Sequence, residues 1–264
     1  MIIDFHVHAF NPKIARKAVD KLAEICGTTP LTHGFTEETI ARFDEWGVDK
    51  GVLLSVATKP SQHEVINNWA KEQDGGRFIS FGSVHPKGED CLSELCRIKE
   101  IGLHGVKLHP DYQKFMPDEP WLEPFYNEIE KLDLPVIFHA GLDALSPDFI
   151  HCPPEKSREM HLKHKYMKKI LAHLGGNEQW QSVYDNLAGL DGELYFDTAL
   201  CMNCDNELME KIIRKHGADR ILFASDCPWE SAKALMDKIL SLNISDDDKE
   251  KILGGNAQRL LGIK

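Results

Sequence analysis

Ile2-Ile3-Asp4-Phe5-His6-Val7-His8 opens the chain as an alternating stretch. Successive side chains of a strand point to opposite faces, so Asp4, His6 and His8 fall on one side and Ile3, Phe5 and Val7 on the other. Two imidazoles at i and i+2 can close on a single metal ion. The apolar side has to be covered by packing. Taken alone, a His-x-His pair also fits two half-buried histidines. What separates the two readings is how the later strands end.

At 264 residues the chain suits one barrel or two small domains. Its 42% hydrophobic and 28% charged content is that of an ordinary globular protein. The formal charge is −11 and no run of basic residues offsets it, which argues against nucleic acid and anionic membrane surfaces as partners. No stretch is long and apolar enough to span a bilayer, and no charged segment followed by an apolar run marks a leader. Seven cysteines, an odd number without a secretion signal, point to reduced thiols in a cytoplasm.

Short apolar runs alternate with amphipathic helical patterns from end to end. The runs that read as strands are 2–8, 51–57, 78–84, 105–109, 135–140, 169–174, 193–198 and 220–226. Between them, Pro12 and Gly27 bracket a helix with Ile14, Ala18, Leu22 and Ile25 on one stripe. Ser61-Gln62-His63-Glu64 reads as a capping box, and Asn177 and Asp205 as N-caps. Eight strands, each followed by helix, predict a single-domain (β/α)₈ TIM barrel over residues 1–264. A doubly wound open sheet is the alternative, but no Gly-rich loop follows the first strand. The least patterned stretch, 141–159, contains Pro147, Pro153 and Pro154 and would lie over the barrel mouth.

Catalytic groups of such a barrel sit at the C-terminal ends of its strands. Polar groups collect there: His6 and His8 on the first strand, Lys107 and His109 on the fourth, His139 on the fifth, His173 on the sixth and Asp226 on the eighth. One such histidine is ordinarily a core residue satisfied by backbone. Four strands ending this way are not a chance pattern.

These motifs, with the tail Gly255-Asn256-Ala257-Gln258-Arg259-Leu260-Leu261, resemble the amidohydrolase superfamily, most closely its amidohydrolase-related family 2. The resemblance implies a divalent ion, one zinc, held by His6, His8, His139 and Asp226. Asp226 would also move protons, and His173 would stand beside the ion to polarise a substrate oxygen. Lys107 and His109 would face the substrate. In two-metal relatives a carboxylated lysine at the Lys107 position bridges two ions and a histidine at the His173 position binds the second, so that arrangement stays open. Asp4 would fix a histidine tautomer from behind.

The ion makes hydroxide available near neutral pH by acidifying its bound water. The leading expectation is therefore a hydrolase acting on an amide, lactone or ester-like bond of a small molecule. The alternative is a nonoxidative decarboxylase of an aromatic or related acid, which the resemblance also includes. A non-catalytic metal-binding barrel comes third. The resemblance allows a homodimer, though no stretch marks an interface. Cys201-Met202-Asn203-Cys204 reads as ordinary thiols. His151, Cys152, His161 and His164 read as groups of the long loop region, and His63 and His216 as surface residues.

Overall fold

An interior of apolar strand faces covered by a layer of helices sets the architecture, seen in a computed structural model that describes residues 1–263. The strands are β1 (Ile3–Val7), β2 (Lys50–Leu54), β3 (Phe78–Ser83), β4 (Val106–Leu108), β5 (Val136–Phe138), β6 (Lys169–Leu171), β7 (Leu194–Asp197) and β8 (Ile221–Leu222). They pair in parallel in sequence order as one eight-stranded sheet. The helices are α1 (Ala15–Cys26), α2 (Thr36–Trp46), α3 (His63–Gln73), α4 (Cys91–Glu100), the single turn α5 (Pro110–Gln113), α6 (Glu123–Lys131), α7 (Pro154–Lys163), α8 (Trp180–Asn186), α9 (Asn206–His216), α10 (Ala232–Ser241), α11 (Asp246–Glu250) and α12 (Asn256–Leu261). This is the expected (β/α)₈ TIM barrel. No described helix is long and apolar enough to cross a membrane.

The sheet closes on itself between β1 and the segment after β8. Phe5 N donates to Phe223 O (2.8 Å), Asp226 N to His6 O (2.9 Å) and His8 N to Cys227 O (2.7 Å). Alternate positions divide the apolar residues into two clusters. Ile3, Phe5, Phe81, Ile137, Ile170 and Leu222 fill the barrel, while Val7, Phe43, Leu108, Phe138 and Phe196 lie between strands and helices. Phe5 and Phe81 meet edge to face inside, with ring centroids 5.8 Å apart. Val106 and Leu108 belong to the outer cluster, so Lys107 takes the inward position that Ile137 and Ile170 take on the next two strands.

Strict alternation along β1 does not hold. Asp4 pairs with Gly51 but Val7 pairs with Leu53, so three residues of β1 match two of β2. The extra residue is a bulge, a device that re-aims side chains beside a site. It leaves Ile3 and Phe5 in the barrel and puts Val7 on the opposite side, against the expectation that all three share a face.

Other local expectations shift for identifiable reasons. The first helix starts at Ala15 and buries Ala15 and Val19, while Ile14 and Ile25 are exposed, so the inward stripe sits one position along. The Ser61–Glu64 box does not form. A 3₁₀ turn precedes α3, and Gln62 Oε1 instead accepts from the N–H groups of Thr58 (2.9 Å) and Lys59 (3.0 Å). Asp205 caps α9 as expected, accepting from Leu208 N at 3.0 Å. Asn177 caps nothing: its side chain donates to Leu142 O at 2.9 Å and holds the loop after β5. Pro154 opens α7 inside the stretch read as irregular, since proline suits a first helical position. His63 and His216 are buried, not surface groups, and His161, within α7, and His164, at its C-terminal end, are buried as well rather than solvated.

One buried charge stands apart from the site. Lys169, wholly buried at the start of β6, donates to Met167 O at 2.7 Å, and burial pushes its pKa down to about 7. The unfolded chain therefore binds the extra proton between about pH 7 and the free-lysine range near ~10.4, so stability rises with pH across that window. Lys169→Met is expected to abolish that rise. Thermal melts of both proteins at neutral and alkaline pH would check it, and a parallel pH response would contradict it.

Candidate functional site

Backbone geometry aims the polar groups before any ligand is considered. Regular pairing stops early, at Leu222 on β8 and Leu171 on β6, and the chain then turns through left-handed conformations at His173 (φ 62°) and Asp226 (φ 71°). Such conformations cost about 1–3 kcal/mol each outside glycine and cluster where a side chain must be aimed. Asp4 ties this turn down, accepting from Ser225 N (2.8 Å) and His6 N (3.2 Å) and from the Ser225 hydroxyl. No imidazole nitrogen is among its bonds; that task falls to Asp197, at the end of β7.

Fixed acceptors assign the histidine tautomers. His6 Nδ1 lies 2.8 Å from Asp197 Oδ2 and His8 Nδ1 2.8 Å from Leu54 O. A carboxylate and a carbonyl only accept, so both Nδ1 atoms carry hydrogen. In neutral rings that leaves the two Nε2 lone pairs facing Asp226 Oδ1, at 3.4 Å from His6 and 3.0 Å from His8. Asp226 Oδ1 is buried without a hydrogen-bond partner. Three acceptors facing one another need positive charge among them. Burial, and next the Lys107 charge, push the His6 pKa well below its ordinary value, which disfavours a proton there. Burial works to raise the Asp226 pKa, but the pull of the neighbouring imidazoles outweighs it and holds the carboxyl below its usual range. A shared cation meets the need, and two imidazole nitrogens with one carboxylate oxygen suit a divalent ion at an open site.

Lys107 borders this cluster. Its Nζ lies 3.2 Å from His6 Nε2, it is 1% exposed, and it forms no ion pair among the described residues. Burial lowers its pKa to about 8, opposed by the charges of Asp226, Asp197 and Asp143. The ammonium form therefore still predominates at pH 7.

His139 stands in a different donor group from the one expected of it. Its Nε2 faces Asp143 Oδ2 at 3.5 Å, with His109 Nε2 3.7 Å from the same oxygen. Its Nδ1 meets His173 Nε2 at 3.0 Å, and His173 Nδ1 meets Ala199 O at 3.1 Å. Ala199 O only accepts, so in neutral rings the hydrogen runs from His173 Nδ1 to Ala199 O and from His139 Nδ1 to His173 Nε2. Within this relay His173 has no N–H left for a substrate oxygen. The rings of Tyr112, His109 and His139 form a column, with centroids 3.6 Å and 4.2 Å apart.

The structure thus brings His6, His8 and Asp226 together, sets Lys107 against them, and places His173 behind His139. Two site residues escaped the sequence reading. Asp197 follows the rule that found the others, a polar residue at a strand's C-terminal end, on the seventh strand, one of three left out when the polar ends of five were noted. Asp143 lies in a loop with no periodicity and carried no signal. Asp197→Ala is expected to release the His6 ring and weaken divalent-metal binding about 10–100-fold, the usual effect of losing a partner behind a ligand. Metal titration of the folded variant would check it, and unchanged affinity would contradict the tautomer assignment.

Comparison with known proteins places this geometry. The amidohydrolase family model Amidohydro_2 matches residues 3–263. A gamma-resorcylate decarboxylase of Rhizobium sp. (strain MTP-10005) is 23% identical over 238 residues, covering 74% of this chain and 72% of the relative. A 2-amino-3-carboxymuconate-6-semialdehyde decarboxylase of Dictyostelium discoideum is 24% identical over 224 residues, covering 71% of this chain and 62% of that protein. Among solved structures, a dihydroxybenzoic acid decarboxylase of Polaromonas sp. JS666 with bound manganese and the inhibitor 2-nitroresorcinol shares the fold at a TM-score of 0.69. It is 18% identical, covering 99% of this chain and 96% of its own. These findings overturn the hydrolase expectation, since the named relatives are decarboxylases. The ligand set could not have separated the two, because water activation and carbon protonation call on the same residues. From residue 3 to residue 263, this chain is an enzyme of the amidohydrolase family.

Proposed function

We propose that the chain is a metal-dependent nonoxidative decarboxylase of a small, planar carboxylic acid. The observation that carries the reading is Lys107, a buried cation 3.2 Å from His6 Nε2 with no carboxylate of its own. An unpaired buried ammonium is costly, and a substrate carboxylate supplies the missing partner. The decarboxylase relatives at 23% and 24% identity support the same choice of reaction.

A divalent cation held by His6, His8 and Asp226 would supply Lewis-acid charge to substrate oxygens. Zinc suits the donor set, and manganese is the ion of the Polaromonas relative. His139 is the fourth ligand if its ring turns from Asp143. Lys107 Nζ donates to the substrate carboxylate and fixes its orientation. Asp226 is the proposed proton carrier: its carboxylate takes up a proton from solvent water and hands it to the carbon bearing the carboxylate. The bond from that carbon to the carboxylate then breaks, its electron pair stays on the carbon, and CO₂ departs. Asp197 and His173 act as positioning residues, the first on His6 and the second on His139.

Incubating metal-loaded protein with a panel of hydroxybenzoates is expected to release CO₂. In D₂O the product should carry one deuterium at the carbon that lost the carboxylate. Cleavage of esters or lactones without CO₂ release would overturn the reading. Lys107→Met is expected to lower kcat/KM at least about 100-fold, on the scale of the 2–5 kcal/mol lost when one member of a buried charge pair is removed. Near-normal kcat/KM in that variant would remove Lys107 from substrate binding.

A further inference from the structure

Two polar groups at the barrel mouth take no part in the steps above: His109, directly after β4, and Asp143, on the segment between β5 and α7. With His139 given to the ion, as proposed above, Asp143 Oδ2 keeps His109 Nε2 as its neighbour, at 3.7 Å. That separation is too long for a hydrogen bond. Asp143 Oδ1 is already engaged, accepting from Leu145 N at 2.8 Å, while Oδ2 receives no hydrogen bond among the described residues. His109 Nδ1 is buried without a partner, so the carboxylate at the opposite edge of the ring draws the hydrogen to Nε2. A donor and an acceptor therefore face each other across a gap. The Asp143 side chain is 11% exposed, so the gap can be reached from the mouth.

Both walls of the gap are held from behind. His109 N donates to Gln113 Oε1 at 3.0 Å, and the Gln113 amide donates in turn to Ala57 O (2.9 Å) and Val84 O (3.0 Å). The His109 ring stacks on Tyr112, with centroids 3.6 Å apart. On the other side, Gly141 N donates to Cys152 O (2.9 Å) and Leu142 N to Asn177 O (3.0 Å). Gly141 has φ 84° and packs so closely on the Asn177 backbone that any Cβ would collide with it. Farther along, the Ser146 hydroxyl donates to Asp111 Oδ1. A gap fixed in this way is preorganised, so a ligand does not have to order it.

Its size and polarity suit one functional group. An oxygen at a normal hydrogen-bond length of about 2.8 Å from each wall bridges the 3.7 Å between them. A hydroxyl there accepts from His109 Nε2 and donates to Asp143 Oδ2 at the same time. An aromatic amino group donates but is a poor acceptor, and a methoxy group only accepts. A second carboxylate would meet Asp143 as a like charge. Resting on the decarboxylase reading, we propose that His109 and Asp143 form a specificity site that reads a hydroxyl group on the substrate. It selects hydroxy acids over their amino, methoxy and dicarboxylic analogues.

Calorimetric titration of the zinc-loaded full chain at mildly alkaline pH tests this. The probes are the ring isomers of hydroxybenzoate, aminobenzoate, methoxybenzoate and benzenedicarboxylate. One hydroxybenzoate isomer is expected to bind at least about 10-fold tighter than the other three compounds of the same substitution pattern, the scale of one hydrogen bond to a charged group. In Asp143→Asn, Leu145 N retains the amide oxygen, so the NH₂ group turns into the gap. Donors then stand on both sides, and the methoxy compound should bind at least as tightly as the hydroxy compound. His109→Phe keeps the stack on Tyr112 and serves as an independent variant should Asp143→Asn fail to fold. It should weaken hydroxybenzoate binding and leave aminobenzoate binding unchanged. Equal affinity of the native protein for hydroxy and methoxy acids would overturn this inference and leave the reaction as proposed. So would a hydroxyl preference that survives either variant. Binding of none of these acids, with no CO₂ released, would overturn the decarboxylase reading as well.

Discussion

Three acceptors turned toward one another, His6 Nε2, His8 Nε2 and Asp226 Oδ1, are the arrangement on which the rest of this protein depends. An unsatisfied buried acceptor costs about 1–3 kcal/mol, and more when it is charged. Lys107 Nζ, 3.2 Å away, offers a donor to His6 Nε2, but Asp226 Oδ1 stays buried without a hydrogen-bond partner. Asp197 and Leu54 O take the opposite ring nitrogens and so lock the lone pairs inward. Burial and Lys107 together discourage a proton on His6. His6, His8 and Asp226 thus form a donor group whose geometry could hold a metal ion.

Barrel closure is what makes the arrangement possible. His6 and His8 lie at one end of the chain and Asp226 near the other, and they meet because β1 pairs with the segment following β8. The bulge in β1 and the left-handed turn at Asp226 convert that backbone seam into a convergence of side chains. Asp4 joins both features through Ser225 and His6 N. The same barrel places Lys107 on an inward position that neighbouring strands give to isoleucine, so a cation stands at the base of the mouth instead of a methyl group.

The architecture was legible because it rests on repeated signals. Eight apolar runs with helical patterns between them leave few alternatives, and each run proved to contain a strand. The first-strand histidines and Asp226 were legible by their position at strand ends. What escaped depends on contacts between distant segments. Nothing in Asp4-Phe5-His6-Val7-His8 announces a bulge, which arises from pairing with Gly51 and Leu53. The support of His6 was assigned to nearby Asp4 because sequence proximity was the available guide, whereas Asp197 supplies it from 191 residues away. His139 was expected beside the first pair, and its engagement with His173 and Asp143 reflects a hydrogen-bond relay that spacing does not encode. The reaction type was illegible for a chemical reason, since hydrolysis and decarboxylation ask the same ligands for a Lewis acid.

Anomalous diffraction at the zinc edge, on crystals of the full chain loaded with zinc, addresses the central claim most directly. The expected result is a peak bonded to His6 Nε2, His8 Nε2 and Asp226 Oδ1, with Asp197 still bound to His6 Nδ1. Zinc absent from that position, or a His6 ring turned so that Nδ1 leaves Asp197, would contradict it.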